Sequence, residues 1–194
     1  MKRLIVGLSG ASGAIYGIRM LEVLRSVEDI ESHLVLTPAA KRTIGLETDV
    51  SIADVEALAD HSHSAGDIAA AISSGSCQTV GMVVIPCTIK TLAGIASCYA
   101  DNLLLRSADV TLKDRRRLVL VLRETPLHAG HIRLMAQATE MGAVIAPPMP
   151  AFYHRPTTID DLVNQTVNRV LDLMDIPLPA DLFDRWEGGG LSSD

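Results

Sequence analysis

Two charged residues, Arg123 and Glu124, directly follow the apolar run at residues 118–122 (LVLVL). Core packing does not explain a charged pair at the end of a buried strand, so a ligand site is the better reason for it. An arginine can hold a phosphate through two parallel hydrogen bonds, and a glutamate can move a proton if its pKa is raised. The pair therefore predicts a site for a phosphorylated ligand at which a proton is transferred.

Three earlier strand ends carry small or hydroxyl-bearing residues. The turn at residues 9–14 (SGASGA) has only small side chains, so a ligand can approach its backbone closely. Thr37 ends the next apolar run, and Thr88 and Thr91 flank Lys90 after a third run. A helix that starts at such a turn favours an anion, through its unpaired N–H groups. The alternatives are a plain strand-to-helix turn and, for Thr37, a hydroxyl that only caps the following helix.

Apolar runs alternate with segments of helical periodicity, and these elements must position the turns. The alternation predicts an α/β fold with parallel strands whose carboxyl ends meet at one edge of a sheet. Strands are predicted at residues 4–8, 33–37, 81–85, 118–122 and 143–145. Helices or helical turns are predicted at residues 18–24, 39–47, 53–58, 67–72, 92–96, 102–113 and 162–171.

The composition limits the classes of protein to which the chain can belong. A chain of 194 residues most simply forms a single domain, residues 1–194, with a full core. Its net charge of −6 argues against nucleic acid as the main partner, and no apolar run reaches the roughly 20 residues of a membrane span. The first residues lead into a strand rather than a signal peptide, and three cysteines without CxxC spacing suit a reducing cytosol. We expect a cytoplasmic protein whose tail is mobile after about residue 187.

Several residues that bind metals or act as nucleophiles in other proteins have simpler explanations in this chain. His61 and His63 alternate in a way that suits a metal, but the sequence offers no clear third ligand, so we expect surface residues. His128 and His131 lie one turn apart on a predicted helix, where they suit capping or interface roles. Cys87 has no histidine close in sequence and is expected to be a small buried residue. No metal is predicted.

Basic side chains farther along the chain are candidates for binding anions. Arg106 and Lys113 are seven residues apart on a predicted helix, so they project from roughly the same face. The run at residues 113–117 (KDRRR) is the densest basic cluster of an acidic chain, and such a run is usually a solvated turn. Arg106, Lys113 and Arg123 are better explained as anion ligands near the carboxyl edge or at an interface.

Aromatic rings are concentrated at residues 151–156 (AFYHRP) in a chain that is only 3% aromatic, so they need a reason other than core packing. The segment that follows begins a helix at Thr158, with Asp160 and Asp161 in its first turn. Negative charge is favoured at that position, so the two aspartates are interpreted as a helix start and not as an aspartate-rich metal motif.

With these residues in view, the chain resembles the UbiX family of flavin prenyltransferases, formerly called aromatic-acid decarboxylases, over essentially its whole length. Eight motifs in order carry the resemblance. They are GLSGASGAIYG at 7–17, VLTPAA at 35–40, ETD at 47–49, SSGS at 73–76, IPCTIKTLAGI at 85–95, RSADVTLKDRRRLVLVLRETPL at 106–127, PPMPAFYHRP at 147–156 and the helix through Arg169.

The resemblance implies a three-layer, doubly wound parallel sheet of the flavodoxin-like or Rossmann-like kind, assembled as a homododecamer. It also implies an enzyme that joins the dimethylallyl group of dimethylallyl monophosphate to N5 and C6 of reduced FMN, which is a co-substrate. The prenylated FMN would be the cofactor of a UbiD-type decarboxylase, as in ubiquinone biosynthesis.

The resemblance also assigns roles to individual residues. Glu124 is implied as the proton-handling acid, with Ser12 and Glu47 as helpers around flavin N5 and Lys113 in a catalytic, phosphate-binding role. Thr37 and Thr88 stand where the family commonly has serine. Flavin contacts are implied for Gly10, Ala11, Ser12, Thr37, Thr88, Ile89, Lys90, Thr91 and Arg123, and allylic-phosphate contacts for Tyr153, Arg169, Lys113 and Arg106.

Two other functions remain open at this point. One is an accessory protein that binds FMN for an aromatic-acid decarboxylase without chemistry of its own. The other is direct decarboxylation of a 4-hydroxybenzoate-type acid, which the sequence disfavours because the site has too many phosphate ligands for a carboxylate alone. Because the basic ligands come from distant segments, we expect a pocket shared between subunits.

Overall fold

The computed structural model describes residues 1–188 of the chain. The expected mobility of the tail after about residue 187 therefore concerns residues almost wholly outside the described range. Within that range, no helix combines the length and the apolar character that crossing a membrane requires.

Six parallel strands form one sheet in the order β3-β2-β1-β4-β5-β6. This is the strand order of the Rossmann arrangement, in which the order reverses between the two central strands, β1 and β4. The strands are β1 (Lys2–Leu8), β2 (Ile30–Leu36), β3 (His61–Ser64), β4 (Gly81–Cys87), β5 (Arg117–Leu122) and β6 (Ala143–Ile145).

Helices cover both faces of the sheet and give the predicted three layers. Alternate residues of each strand point to opposite faces, so Val6 packs in one apolar cluster and Ile5 in the other. Helices α1, α2, α3 and α7 cover the first cluster, and α4, α5 and α6 cover the second. The helices are α1 (Ala14–Leu24), α2 (Pro38–Glu47), α3 (Ile52–Ala57), α4 (Ile89–Ala96), α5 (Leu103–Lys113), α6 (Ala129–Glu140) and α7 (Ile159–Leu173).

The region between α3 and β4 differs from the sequence prediction. Residues 61–64 form the edge strand β3, which the sequence analysis did not predict. The helical turn predicted at residues 67–72 is wrong, because only a short 3-10 turn at Ala71–Ser73 is present. The Asp67 carboxylate accepts a hydrogen bond from the Ala69 backbone N–H at 3.2 Å, a local bond that competes with helix formation.

The start of α7 confirms the predicted helix cap. The Thr158 hydroxyl accepts a hydrogen bond from the Asp161 N–H at 3.1 Å. In return, the Asp161 carboxylate accepts from the N–H groups of Thr157 and Thr158 at 2.8 and 2.9 Å. These bonds, with those from the two threonine hydroxyls, lower the pKa of Asp161 to about 2. Asp160 shares the first turn, where a carboxylate interacts favourably with the helix dipole.

We expect Asp161→Asn to lower the urea midpoint of unfolding at pH 7, because the uncharged amide cannot replace an ionised cap. A carboxylate whose pKa is lower in the folded state stabilises the fold above its unfolded-state pKa of about 4. That contribution is lost as the pH falls toward about 2. Urea denaturation of both proteins at pH 7 and pH 3 should therefore show a smaller difference at pH 3. An equal difference at both pH values would contradict the assignment.

Candidate active site

A cavity of about 530 Å³ lies at the carboxyl edge of the sheet, where the loops after β1, β2 and β4 meet the start of α5. This is the edge at which parallel α/β sheets bind their ligands, beside the point where the strand order reverses. Five predicted flavin contacts line this cavity, namely Gly10, Thr37, Thr88, Lys90 and Thr91. Eight lining residues were not predicted, and they are Ser9, Pro38, Ala39, Arg42, Ala65, Gly66, Asn102 and Leu105.

Ser9 holds two of these loops together. Its hydroxyl donates a hydrogen bond to the carbonyl of Pro86 at 2.9 Å and accepts one from the Thr88 N–H at 2.8 Å. Ser9 is buried, with 3% of its surface exposed. The loops after β1 and β4 are therefore fixed relative to each other before any ligand arrives. The sequence did not predict this role of Ser9, because serine is common in turns whether or not it bridges two loops.

Gly10 lets the loop after β1 approach the first turn of α2. A Cβ atom built on Gly10 would lie 2.5 Å from the Cβ of Ala39, far inside van der Waals contact. Glycine at this position keeps the cavity wall thin, as the small-residue turn predicted.

Two threonines at the cavity cap the helices that follow them. The Thr37 hydroxyl accepts from the Ala40 N–H at 3.1 Å at the start of α2. The Thr88 hydroxyl accepts from the Thr91 N–H at 3.0 Å and lies 3.0 Å from the Thr91 hydroxyl. The capping role considered for Thr37 is confirmed, and both threonines also line the cavity.

The start of α1 is occupied by a side chain of the protein itself. One oxygen of Glu47 accepts hydrogen bonds from the N–H groups of Gly13 and Ala14 at 2.8 and 3.0 Å. The sequence analysis expected unpaired N–H groups at this helix start, which is wrong for these two residues.

Glu47 is held in its ionised form. Burial raises the pKa of its carboxyl group, but hydrogen bonds from Ser12, Ala14 and Gly13 and the charge of Arg123 outweigh burial and lower it below its ordinary value. The structure thus brings Ser12, Glu47 and Arg123 together at the start of α1, beside the cavity loops. The functional roles of Ser12 and Glu47 remain predictions.

Arg123 and Glu124 stand at the end of β5, as the sequence predicted. The Arg123 N–H donates to the carbonyl of Cys87 at 3.0 Å, which ties this loop to the end of β4. Glu124 is exposed, and its carboxylate accepts from the Thr125 N–H at 3.0 Å. Burial raises the pKa of the Cys87 thiol, so this residue is the small buried side chain that we expected.

The basic residues predicted to bind the allylic phosphate have partners within the chain. Arg106 lies 2.8 Å from the carboxylate of Asp109, and Arg169 lies 2.9 Å from that of Asp172. Lys113 is exposed over about half of its side chain. None of the three lines the 530 Å³ cavity among the described residues, so a single chain does not place them in the wall of that cavity.

Tyr153 belongs to an exposed cluster of rings near the end of the described chain. Its ring centroid lies 5.5 Å from that of His154, 6.3 Å from Phe183 and 6.0 Å from Trp186, all in edge-to-face geometry. Tyr153 is 46% exposed and Trp186 is 64% exposed. Like the basic residues, the cluster does not line the cavity within one chain.

The roles predicted for His128 and His131 can be compared with the structure. The His128 ring accepts a hydrogen bond from the Gly130 N–H at 3.0 Å and caps α6, which confirms the capping role. The centroid of the His131 ring lies 3.6 Å from that of the His128 ring.

A second cavity, of about 570 Å³, lies at the opposite edge of the sheet near Lys2 and Pro177. It contains none of the predicted site residues.

The chain has close relatives among proteins of known function. The family model described as Flavoprotein matches residues 1–171. The flavin prenyltransferase UbiX of Escherichia coli (strain K12) is 68% identical over 188 residues, which are 97% of this chain and 100% of that protein. The flavin prenyltransferase UbiX of Thauera aromatica is 58% identical over 186 residues, which are 96% of this chain and 94% of that protein.

Solved structures agree with these relatives. The crystal structure of AnUbiX in complex with FMN and dimethylallyl pyrophosphate is 49% identical, with a TM-score of 0.92 over 97% of this chain and 99% of that one. A dodecameric FMN-dependent UbiX-like decarboxylase from Escherichia coli O157:H7 is 52% identical, with a TM-score of 0.91 over 96% and 99% of the two chains. The chain therefore belongs to the flavoprotein family and, within it, to the UbiX flavin prenyltransferases, which are enzymes of the transferase class.

Proposed function

We propose that this chain joins the dimethylallyl group of dimethylallyl monophosphate to N5 and C6 of reduced FMN, and so makes prenylated FMN. The product would be the cofactor of a UbiD-type decarboxylase, with ubiquinone biosynthesis as the expected context. The observation that carries the proposal is the 530 Å³ cavity, because five residues predicted to contact flavin surround it. A chain 49% identical, AnUbiX, binds FMN and dimethylallyl pyrophosphate in its crystal structure.

The residues at the carboxyl edge suit a flavin phosphate and ring. Reduced FMN supplies the nucleophilic N5 and C6 atoms of the reaction. We propose that the hydroxyls of Thr37 and Thr88 and the ammonium group of Lys90, three residues that line the cavity, hold its polar groups. Arg123, whose charge acts on Glu47 at the start of α1, would add a positive charge. The ionised Glu47 fixes the Ser12 hydroxyl next to the same loops. We propose that this pair orients the reacting edge of the flavin.

The allylic substrate needs cations, because a phosphate leaves readily only if its developing charge is neutralised. We propose that Arg169, Lys113 and Arg106 neutralise this charge without a metal. The exposed rings of Tyr153 and Trp186 suit the positive charge that develops on the allylic group, since ring faces attract cations. Formation of the second bond at C6 would add one proton to the double bond of the attached group and remove one from C6, and we propose that Glu124 and the released phosphate carry these protons.

Assembly would complete the pocket. Arg106, Lys113, Tyr153 and Arg169 do not line the cavity of their own chain among the described residues. A UbiX-like relative from Escherichia coli O157:H7 is dodecameric. We therefore propose a homododecamer in which these residues reach the flavin cavity of a neighbouring subunit. A cytoplasmic location also remains a proposal, which rests on the three free thiols.

The test is an incubation of the purified protein with FMN, dithionite and dimethylallyl monophosphate, followed by mass spectrometry of the released flavin. We expect a flavin heavier by one C5 unit, and no such product when the reductant is omitted. A parallel reaction with dimethylallyl diphosphate measures the preference between the two phosphates. Flavin that stays unchanged while bound to the protein would remove the transferase proposal and leave the FMN-binding accessory role.

Direct decarboxylation is a second candidate, because the dodecameric relative at 52% identity is described as a decarboxylase. It predicts release of CO2 from a 4-hydroxybenzoate-type acid by this chain and FMN alone. The prenyltransferase predicts no CO2 until the modified flavin is passed to a separate decarboxylase. Measuring CO2 with and without that second enzyme distinguishes the two functions.

A further inference from the structure

Three imidazoles and a carboxylate meet at the open edge of the sheet, away from the flavin cavity. In the register of the parallel pair β2 and β3, His33 lies opposite His61. Glu31 precedes His33 by two residues and His63 follows His61 by two, so all four side chains point to the same face. The sequence analysis found no third ligand beside His61 and His63, and the fold supplies two.

The ligand atoms converge closely. His33 Nε2 lies 2.8 Å from Glu31 Oε1, and His61 Nε2 lies 3.5 Å from the same oxygen. One ligand atom from each of the three residues lies within 4.8 Å of the ligand atoms of the other two. Tetrahedral zinc, with ligands at about 2.0–2.2 Å, separates its ligand atoms by about 3.4 Å. The two measured separations lie on either side of that value, so a small shift of the side chains would fit the ion.

His63 supplies the outer support that metal-binding histidines usually have. Its Nε2 lies 2.9 Å from His33 Nδ1, the ring nitrogen that points away from Glu31. The planes of the His33 and His63 rings differ by 9° and their centroids lie 5.2 Å apart, as in two rings joined edge to edge by a hydrogen bond. A hydrogen bond to the second ring nitrogen fixes the orientation and tautomer of a ligating imidazole.

The proposed ligands are buried on one side of the cluster and exposed to solvent on the other. His33 is 8% exposed in its side chain and Glu31 is 20% exposed, whereas His61 is 54% exposed. An ion can therefore enter from solvent and keep a water as its fourth ligand. Before β3, the Asp60 carboxylate accepts from the N–H and hydroxyl of Ser32 at 2.7 and 2.8 Å, which fixes the start of the strand.

One cation of the protein already contacts this carboxylate. Arg3 Nε lies 3.1 Å from Glu31 Oε1, and the Arg3 side chain is 42% exposed. An exposed guanidinium can move to the second carboxylate oxygen or to solvent when a divalent ion binds. Exposed ion pairs of this kind contribute little to stability, so their displacement costs little.

We propose that Glu31, His33 and His61 bind one zinc-class divalent ion, with His63 as a positioning residue that supports His33. The site is structural, because it ties the polar edge strand β3 to β2. Ala65 and Gly66 follow β3 directly and line the flavin cavity, so the ion would also steady one wall of that cavity. The proposal does not depend on the prenyl-transfer reaction.

The test uses untagged protein that is treated with EDTA, exchanged into metal-free buffer and titrated with ZnCl2 by calorimetry. We expect one Zn²⁺ per chain and no comparable binding of Mg²⁺, which prefers oxygen ligands. His61→Ala should weaken zinc binding by at least about tenfold, since even supporting residues of metal sites contribute about 10–100-fold. His131→Ala, a histidine of α6, is the matched control and should bind zinc as the parent protein does.

A spectroscopic measurement shows whether His61→Ala loses zinc binding because a ligand is missing or because the variant is misfolded. Co²⁺ in a tetrahedral site absorbs visible light, and we expect this absorption in the parent protein and in His131→Ala but not in His61→Ala. His61 is more than half exposed, so its replacement should leave the far-ultraviolet circular dichroism unchanged. Zinc binding below one ion per chain, or equal zinc affinity in His61→Ala and the parent, would overturn the proposal.

Discussion

Glu124→Gln is expected to lower kcat by about 10²- to 10⁴-fold, the usual contribution of a positioned acid or base, while FMN affinity stays unchanged. Glutamine keeps the shape of the side chain and can still accept a hydrogen bond from the Thr125 N–H, which Glu124 accepts at 3.0 Å. It cannot take up a proton. Because Glu124 is exposed and follows Arg123 at the end of β5, the substitution should slow the conversion of flavin without affecting folding.

The measurement combines a single-turnover assay of flavin conversion with a fluorescence titration of FMN. Glu140→Gln is the matched control, since Glu140 is an exposed glutamate at the end of α6. We expect Glu140→Gln to convert flavin at the rate of the parent protein. Normal turnover in Glu124→Gln would remove Glu124 from the mechanism and leave the released phosphate as the base.

Gly17→Ala is expected to lower the free energy of unfolding by about 1–3 kcal/mol, the usual cost of overpacking a core. Gly17 lies in α1 where this helix crosses β1 and β4. A Cβ atom on Gly17 would lie 2.5 Å from the carbonyl oxygen of Ile85 and 2.5 Å from Cδ2 of Leu8. A backbone carbonyl cannot turn aside as a side chain can, so the helix must move away from the sheet.

The same substitution at Gly45 is the control for Gly17→Ala. Gly45 lies in α2, and a Cβ atom there would meet nothing within 4 Å. Gly45→Ala should therefore stabilise the protein by about 0.4–1 kcal/mol, because alanine restricts the unfolded chain more than glycine does. Urea denaturation of both variants at one protein concentration tests the pair. A Gly17→Ala protein as stable as Gly45→Ala would show that α1 does not press on the sheet.

The buried part of the fold was predictable from the sequence, whereas its polar edge was not. Strands such as β4 and β5 are covered on both faces, so their apolar runs stand out in the sequence. The edge strand β3 reads His-Ser-His-Ser and is mostly exposed, so it lacks that signal. Its only local sign was the alternation of histidine with serine, which has the period of a strand.

In the candidate site, too, features encoded by neighbouring residues were predictable, whereas contacts between distant residues were not. Thr37 and Thr88 were found because a hydroxyl at a strand end is visible in the sequence. The contact of Glu47 with the start of α1 joins residues more than thirty positions apart, and no local pattern encodes it. Arg106 and Arg169 were predicted to bind the allylic phosphate, but within one chain they pair with carboxylates and do not line the 530 Å³ cavity.

The separation of the interior into two apolar clusters affects how substitutions combine. Ile18 belongs to the cluster on one face of the sheet, and Leu104 belongs to the cluster on the other. Residues that share no neighbours contribute nearly independently to stability. The stability effects of substitutions in one cluster should therefore add to the effects of substitutions in the other, with little coupling between them. An engineer can redesign the layer beneath α4 and α5 while treating the layer beneath α1 and α7 as constant.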